Sequence, residues 1–169
     1  MTNPRVCVIA VDGSDDSEYA LHWYSKHVHK VDDKAVLVFV PEHHGLLHAS
    51  RWENTVYALN RDLPESMSDG EQDQIKSELL KFAEKLLNLG IAGKVKNVLA
   101  AKPEEGILRV AEEESADMIV VGSRGRGAFH RTFVGSICDH LVHHSHCAVV
   151  VCKRPPKGAP ELYPEEPKC

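Results

Sequence analysis

Long apolar runs are scarce in this chain. The first, Val6–Val11, is six residues, too short for a signal peptide or a membrane-spanning helix. No later stretch is long enough to cross a bilayer, so we expect no membrane partner. Cysteine is sparse and odd in number: Cys7, Cys138, Cys147, Cys152 and Cys169. That count, with no small-domain spacing, argues against a disulfide-stapled scaffold and for reduced thiols, so a cytoplasmic protein is expected. Positive charge does not predominate either. The net charge of −5 argues against general nucleic-acid binding. No internal repeat is found. No lysine precedes Ser136, which excludes a G-x-x-x-x-G-K-[ST] phosphate loop.

What is present suits one domain. The chain has 169 residues, 43% apolar and 27% charged, within the globular range. Val6–Val11, Ala35–Val40, Val95–Ala101, Met118–Val121 and Cys147–Cys152 read as strands, apolar throughout apart from Lys96 and Asn97 in the third. Helical patterns alternate with them. In the first, Asp15 and Glu18 have capping-box spacing, and Ala20, Trp23, Tyr24, His27 and Val28 recur along one face. Asp32-Asp33-Lys34 reads as a turn. In the second helix Ser68 and Glu71 form a capping box. Ile75, Leu79, Phe82, Leu86 and Leu89 make its face, and Gly90 ends it. Pro103 opens a third helix, which buries Ile107, Val110 and Ala111. Gly135–His144 is the fourth.

The alternation predicts an α/β three-layer sandwich, a parallel sheet with helices on both faces. The domain spans residues 1–153. The proline-rich segment 154–169 is expected to be a mobile tail. Residues 41–67, with His43, His44, His48, Trp52 and Tyr57, are long for a connection and are read as a lid or binding loop.

The chemistry gathers between Met118 and Val142. An apolar strand meets four glycines, Gly122, Gly125, Gly127 and Gly135, then Ser136 and an apolar-periodic stretch. Glycines allow close approach to backbone amides. A helix N-terminus offers unpaired N–H groups and a positive dipole end. Ser136 adds a hydroxyl, and Arg124, Arg126 and Arg131 add charge. The pattern is G-x-x-G, nine residues, then G-S: Gly122, Gly125, Gly135, Ser136.

That spacing resembles the ATP-binding signature of the universal stress protein family, and the resemblance covers about residues 5–153. It implies a Rossmann-like fold with a five-stranded parallel sheet in the order 3-2-1-4-5. It also implies a nucleotide at the carboxyl ends of the strands, where such sheets reverse direction. Carried over by position, Ala10, Val11 and Asp12 would contact adenosine at the end of strand one. Val40 would read the adenine edge through its backbone. Val121, Gly122, Arg124 and Gly125 would form the first half of the phosphate loop. Gly135, Ser136, Ile137 and Cys138 would form the second. Cys138 stands where some ATP-binding relatives carry a hydroxyl. The implied ligand is ATP, or ADP or AMP, with magnesium accompanying it. The implied assembly is a homodimer through strand 147–152.

Other readings compete. Asp12-Gly13 is also a common turn dipeptide. His140, His143 and His144 fall at i, i+3 and i+4 with His146 beyond, but Asp139 is expected to point elsewhere, and no metal site is assigned. Parity sends Cys147 and Cys152 to opposite faces. The function implied is a nucleotide-dependent stress-response regulator. The alternatives are a slow ATPase, for which the phosphate lysine and a clear general base are missing, and a family member that has lost its nucleotide.

Overall fold

The computed structural model describes residues 3–39, 55–58, 68–99, 102–123 and 135–156. Among these residues the elements are β1 (Val6–Val11), α1 (Asp15–His27), β2 (Lys34–Phe39), β3 (Thr55–Ala58), α2 (Asp69–Asn88), β4 (Gly93–Leu99), α3 (Pro103–Glu113), β5 (Met118–Gly122), α4 (Ser136–His144) and β6 (Ala148–Cys152).

The strands join in the order β3-β4-β2-β1-β5-β6. Five of them, β4, β2, β1, β5 and β6, are mutually parallel. Counted alone they give the expected order 3-2-1-4-5. β3 is an addition that the sequence pattern did not reveal. It lies inside the 41–67 segment and pairs antiparallel with β4, Thr55 opposite Leu99 and Ala58 opposite Lys96.

The apolar strands have a physical reason. β1, β2 and β5 are covered on both faces, which selects apolar residues along them; β4 keeps Lys94, Lys96 and Asn97. Ile9, Val11, Leu37, Phe39 and Val95 point to one side and pack against Leu21 and Tyr24 of α1 and Ile75, Leu79 and Phe82 of α2. Val8, Ala10, Val36, Val38 and Val121 point to the other and pack against Ile107 and Val110 of α3 and Cys138 and Leu141 of α4. Two aliphatic cores flank one sheet, and each fully buried Leu or Ile contributes about 1.5–3 kcal/mol.

The helix ends follow the sequence in α2. Ser68 accepts from the Glu71 N–H while the Glu71 carboxylate accepts from the Ser68 N–H. Gly90 takes φ +68° just past the end. α1 differs from expectation: its cap is Ser14, not Asp15, and Ser17 and Leu21 join its buried face. Asp33, read as a turn residue, is a buried anchor. It accepts from the Arg5 guanidinium at 2.9 and 2.6 Å and from the Lys30 N–H at 2.9 Å. This cluster closes the amino end of the sheet, opposite the candidate site.

Candidate nucleotide site at the carboxyl edge of the sheet

β1 and β5 are neighbours, and from them the chain departs in opposite directions across the sheet. A crevice at their carboxyl ends is the expected ligand position in such a sheet. Two helices, α1 and α4, start there.

The start of α1 is already filled by its own sequence. The Asp12 carboxylate accepts from the Ser14 N–H at 2.9 Å, and Gly13 supplies the φ of 78° that the turn needs. Ser14 Oγ accepts from the Ser17 N–H at 3.3 Å. Ser17 Oγ donates to the Ser14 carbonyl at 2.9 Å and accepts from the Asp12 N–H at 3.3 Å. Asp15, Asp16 and Glu18 occupy the first turn. These carboxylates already satisfy the helix dipole, and they would repel an anion.

The start of α4 is open. Its cap is Gly135, and no side chain caps the first turn. The N–H groups of Ser136, Ile137 and Cys138 are those a helix leaves without internal partners, and Ser136 is exposed. α3 also lacks a side-chain cap, but it carries Glu104 and Glu105 in its first turn. α4 has a single carboxylate in its first turn, Asp139, which lies 3.5 Å from His143 Nε2, so among the described helices at this edge it offers the least repelling seat for a phosphate.

The loop ends are pinned. The Ser123 N–H donates to the Cys152 carbonyl at 2.9 Å, and the Gly135 N–H donates to the Ser123 carbonyl at 3.0 Å. The Cys138 thiol donates to the Gly122 carbonyl at 2.9 Å. Gly122 also passes under the first turn of α1: a Cβ there would lie 2.6 Å from the Asp16 carbonyl oxygen. Only glycine permits that approach.

The structure thus brings Asp12, Gly122, Gly135 and Ser136 to one edge. Ala10, Val11, Val121 and Cys138 are buried there, and Ile137 is half-buried, with their side chains committed to the two cores. They can meet a ligand only through backbone groups. The Cys138 thiol in particular is turned to a carbonyl, and burial pushes its pKa up to about 11. Val40, Arg124, Gly125, Gly127 and the other loop arginines, Arg126 and Arg131, lie outside the described residues.

Residues 4–153 match the model of the universal stress protein family. The chain belongs to the universal stress protein family. Among curated relatives, it is 35% identical over 60 residues to universal stress protein MJ0531 of Methanocaldococcus jannaschii, a match covering 36% of this chain and 35% of that one. It is 26% identical over 155 residues to universal stress protein PHOS32 of Arabidopsis thaliana, covering 87% of this chain and 64% of that one. The matches thus span from about a third to just under two thirds of those relatives' lengths. Among solved structures, the universal stress protein of Archaeoglobus fulgidus in complex with dAMP superposes with a TM-score of 0.58 at 18% identity, covering 89% of this chain and 98% of that one.

Other groups in this universal stress protein are placed by the same frame. On α4, the His140 and His144 rings stack with centroids 4.0 Å apart. Asp139, expected to point away from the histidines, lies 3.5 Å from His143 Nε2. Cys7, Cys138 and Cys152 are buried thiols, each raised in pKa by burial, while Cys147 is half-exposed. Arg154, the first residue of the expected tail, is tied to α1 through Asp15 at 3.2 Å and Asp16 at 3.0 Å. No helix among the described residues is long and apolar enough to cross a membrane.

Proposed function

We propose that this universal stress protein binds an adenine nucleotide, ATP first, and acts as a nucleotide-dependent regulator of a stress response in the cytoplasm. The observation that carries the reading is the uncapped N-terminus of α4 beside the end of β5, at the switch point of the sheet. The phosphates would lie on the N–H groups of Ser136, Ile137 and Cys138, with the Ser136 hydroxyl donating to a phosphate oxygen or standing near magnesium. Adenosine would lie toward Asp12. The Archaeoglobus relative's dAMP supports an adenine ligand on this fold.

The reading is one of binding rather than turnover. Fast phosphoryl transfer requires a group to orient water and stabilisation of the transferring charge. The described edge supplies amides and a hydroxyl, and the Asp12 carboxylate is engaged in the turn before α1. We also propose a homodimer through β6, because it is an apolar strand at a margin of the sheet and such margins invite pairing.

The test is direct. The purified protein is denatured, released small molecules are identified by mass spectrometry, and the refolded, emptied protein is titrated with ATP, ADP and AMP. Release of an adenine nucleotide and saturable ATP binding are expected. A folded protein that neither carries nor binds an adenine nucleotide would overturn the reading.

A further inference from the structure

The histidines at the end of α4 are not equivalent, and two of them form a pair. His140 and His144 are four residues apart, so one turn of helix brings them to the same face. Their rings stack with centroids 4.0 Å apart and planes 16° from parallel. His144 Nδ1 lies 2.9 Å from the His140 carbonyl oxygen. A carbonyl oxygen only accepts, so Nδ1 holds the hydrogen, and in the neutral ring Nε2 keeps its lone pair. Imidazoles that ligate metals are held in this way, one nitrogen donating to a carbonyl or carboxylate and the other facing the ion. His143 is engaged elsewhere: its Nε2 lies 3.5 Å from the Asp139 carboxylate.

The surroundings of the pair favour a cation. His144 is the final residue of α4, with Ser145 as the cap, and the last turn of a helix carries the negative end of its dipole. The Glu105 carboxyl of α3, bonded to Lys102 at 2.9 Å, is held below the usual carboxylate range by Lys102 first and by His140 as well. A carboxylate therefore stands near the pair. His144 is exposed and His140 half-exposed, so an ion reaches both from solvent.

We infer that His140 and His144 chelate a divalent transition-metal ion, of the zinc, nickel or copper class that imidazole suits. Two nitrogens that share one ion at the usual bond length lie about 3 Å apart. Rings already stacked at 4.0 Å reach that spacing by a small side-chain rotation. Among the described residues no group of three or more metal-ligating side chains gathers. The chain thus supplies two ligands where structural zinc takes four, and the ion exchanges freely with solvent. Its action falls on α4: a bridge between residues one turn apart clamps the last turn of the helix. The inference makes no use of the nucleotide site and stands or falls separately from it.

The test uses the full chain, reduced, stripped with a chelator and without nucleotide. NiCl2 and ZnCl2 are titrated by calorimetry into the parent, His140→Ala, His144→Ala and His143→Ala. Histidines and thiols elsewhere in the chain bind the same ions, so the site is read by difference from the parent. One site should weaken by about tenfold or more in His140→Ala and in His144→Ala. It should keep the parent's affinity in His143→Ala. In the parent, which needs no variant to fold, substoichiometric NiCl2 should broaden the imidazole proton signals of His140 and His144 before those of His143. A parent that binds neither ion would overturn the inference. So would unchanged binding in either variant of the pair, an equal loss in His143→Ala, or broadening at His143 ahead of the pair.

Discussion

The thiol of Cys138, in the first turn of α4, donates to the carbonyl oxygen of Gly122, the last residue of β5, across 2.9 Å. One bond thereby fixes both ends of the glycine loop. Burial raises this thiol to about 11, so it stays protonated and unreactive at neutral pH. Native protein treated with iodoacetamide at pH 8 should be alkylated at half-exposed Cys147 well before Cys138 or Cys152, as peptide mass spectrometry would record. Cys138→Ala should cost about 1–3 kcal/mol by urea titration, because it orphans a buried carbonyl and leaves a small void. Equal labelling of Cys138 and Cys147 would refute the packing.

Gly122 and Gly135 should respond differently. A Cβ on Gly122 meets the Asp16 backbone oxygen at 2.6 Å, whereas one on Gly135 meets the Ser123 oxygen at 3.3 Å. Gly135 has φ −60° and ψ 153°, open to any residue. Gly122→Ala should therefore lose about 1–3 kcal/mol of stability through overpacking. Gly135→Val should keep its circular dichroism spectrum and lose ATP binding, because the side chain crowds the open helix end. Unchanged ATP affinity in Gly135→Val would reject the phosphate seat.

Asp33 sets an acid limit on stability. Burial pushes its carboxyl up, but the Arg5 guanidinium and the Lys30 N–H outweigh that and hold it below the usual carboxylate range. A group with a lowered folded pKa contributes stability above its unfolded pKa, about 3.9. That contribution is lost as pH falls through the folded value. Urea midpoints should thus drop below about pH 4. Asp33→Asn should be less stable at pH 7 by about 1–3 kcal/mol and flatter across that acid window. A variant with the parent's acid profile would remove Asp33 from the account.

Phosphate release under saturating magnesium-ATP should fall below the ordinary enzyme range of about 1–1,000 per second. Ser136→Ala should weaken ATP binding severalfold, the loss of about one hydrogen bond, without a matching loss of turnover. Turnover inside that range, abolished by Ser136→Ala or Asp12→Asn, would make the protein an ATPase.

The proposed dimer is tested at β6. Val150 is half-buried in the strand at the margin of the sheet. Sedimentation at micromolar protein should give a dimer, and Val150→Lys should give a folded monomer, since an edge lysine opposes strand pairing. A monomeric parent would end the proposal.

The parallel sheet was legible because β1, β2, β5 and β6 are short, largely β-branched runs with no polar face, a pattern that double-sided cover produces, while β4, with Lys94, Lys96 and Asn97, was legible from its place between two helices. The α2 cap was legible because Ser68 and Glu71 satisfy each other within four residues. What escaped was non-local. β3 is four residues long, carries no period of its own, and exists through pairing with β4 far along the chain. Asp33 looked like a turn because its partner Arg5 is 28 residues away. At the site, the glycines and Ser136 were readable from spacing. The role of Cys138 was not, since a thiol that could face a phosphate faces a carbonyl instead.

The antiparallel β3 makes the two margins of the sheet unlike. One ends in a short strand running against its neighbour, the other in parallel β6. Margin-to-margin growth in a single direction would have to join β6 of one copy to β3 of the next, and such a head-to-tail contact propagates without end unless its rotation closes a ring. β6 meeting β6 about a twofold axis uses up the same strand on both copies and closes after two. In the proposed twofold dimer β3 of each copy lies outermost, and a strand so short is a poor template for a further copy.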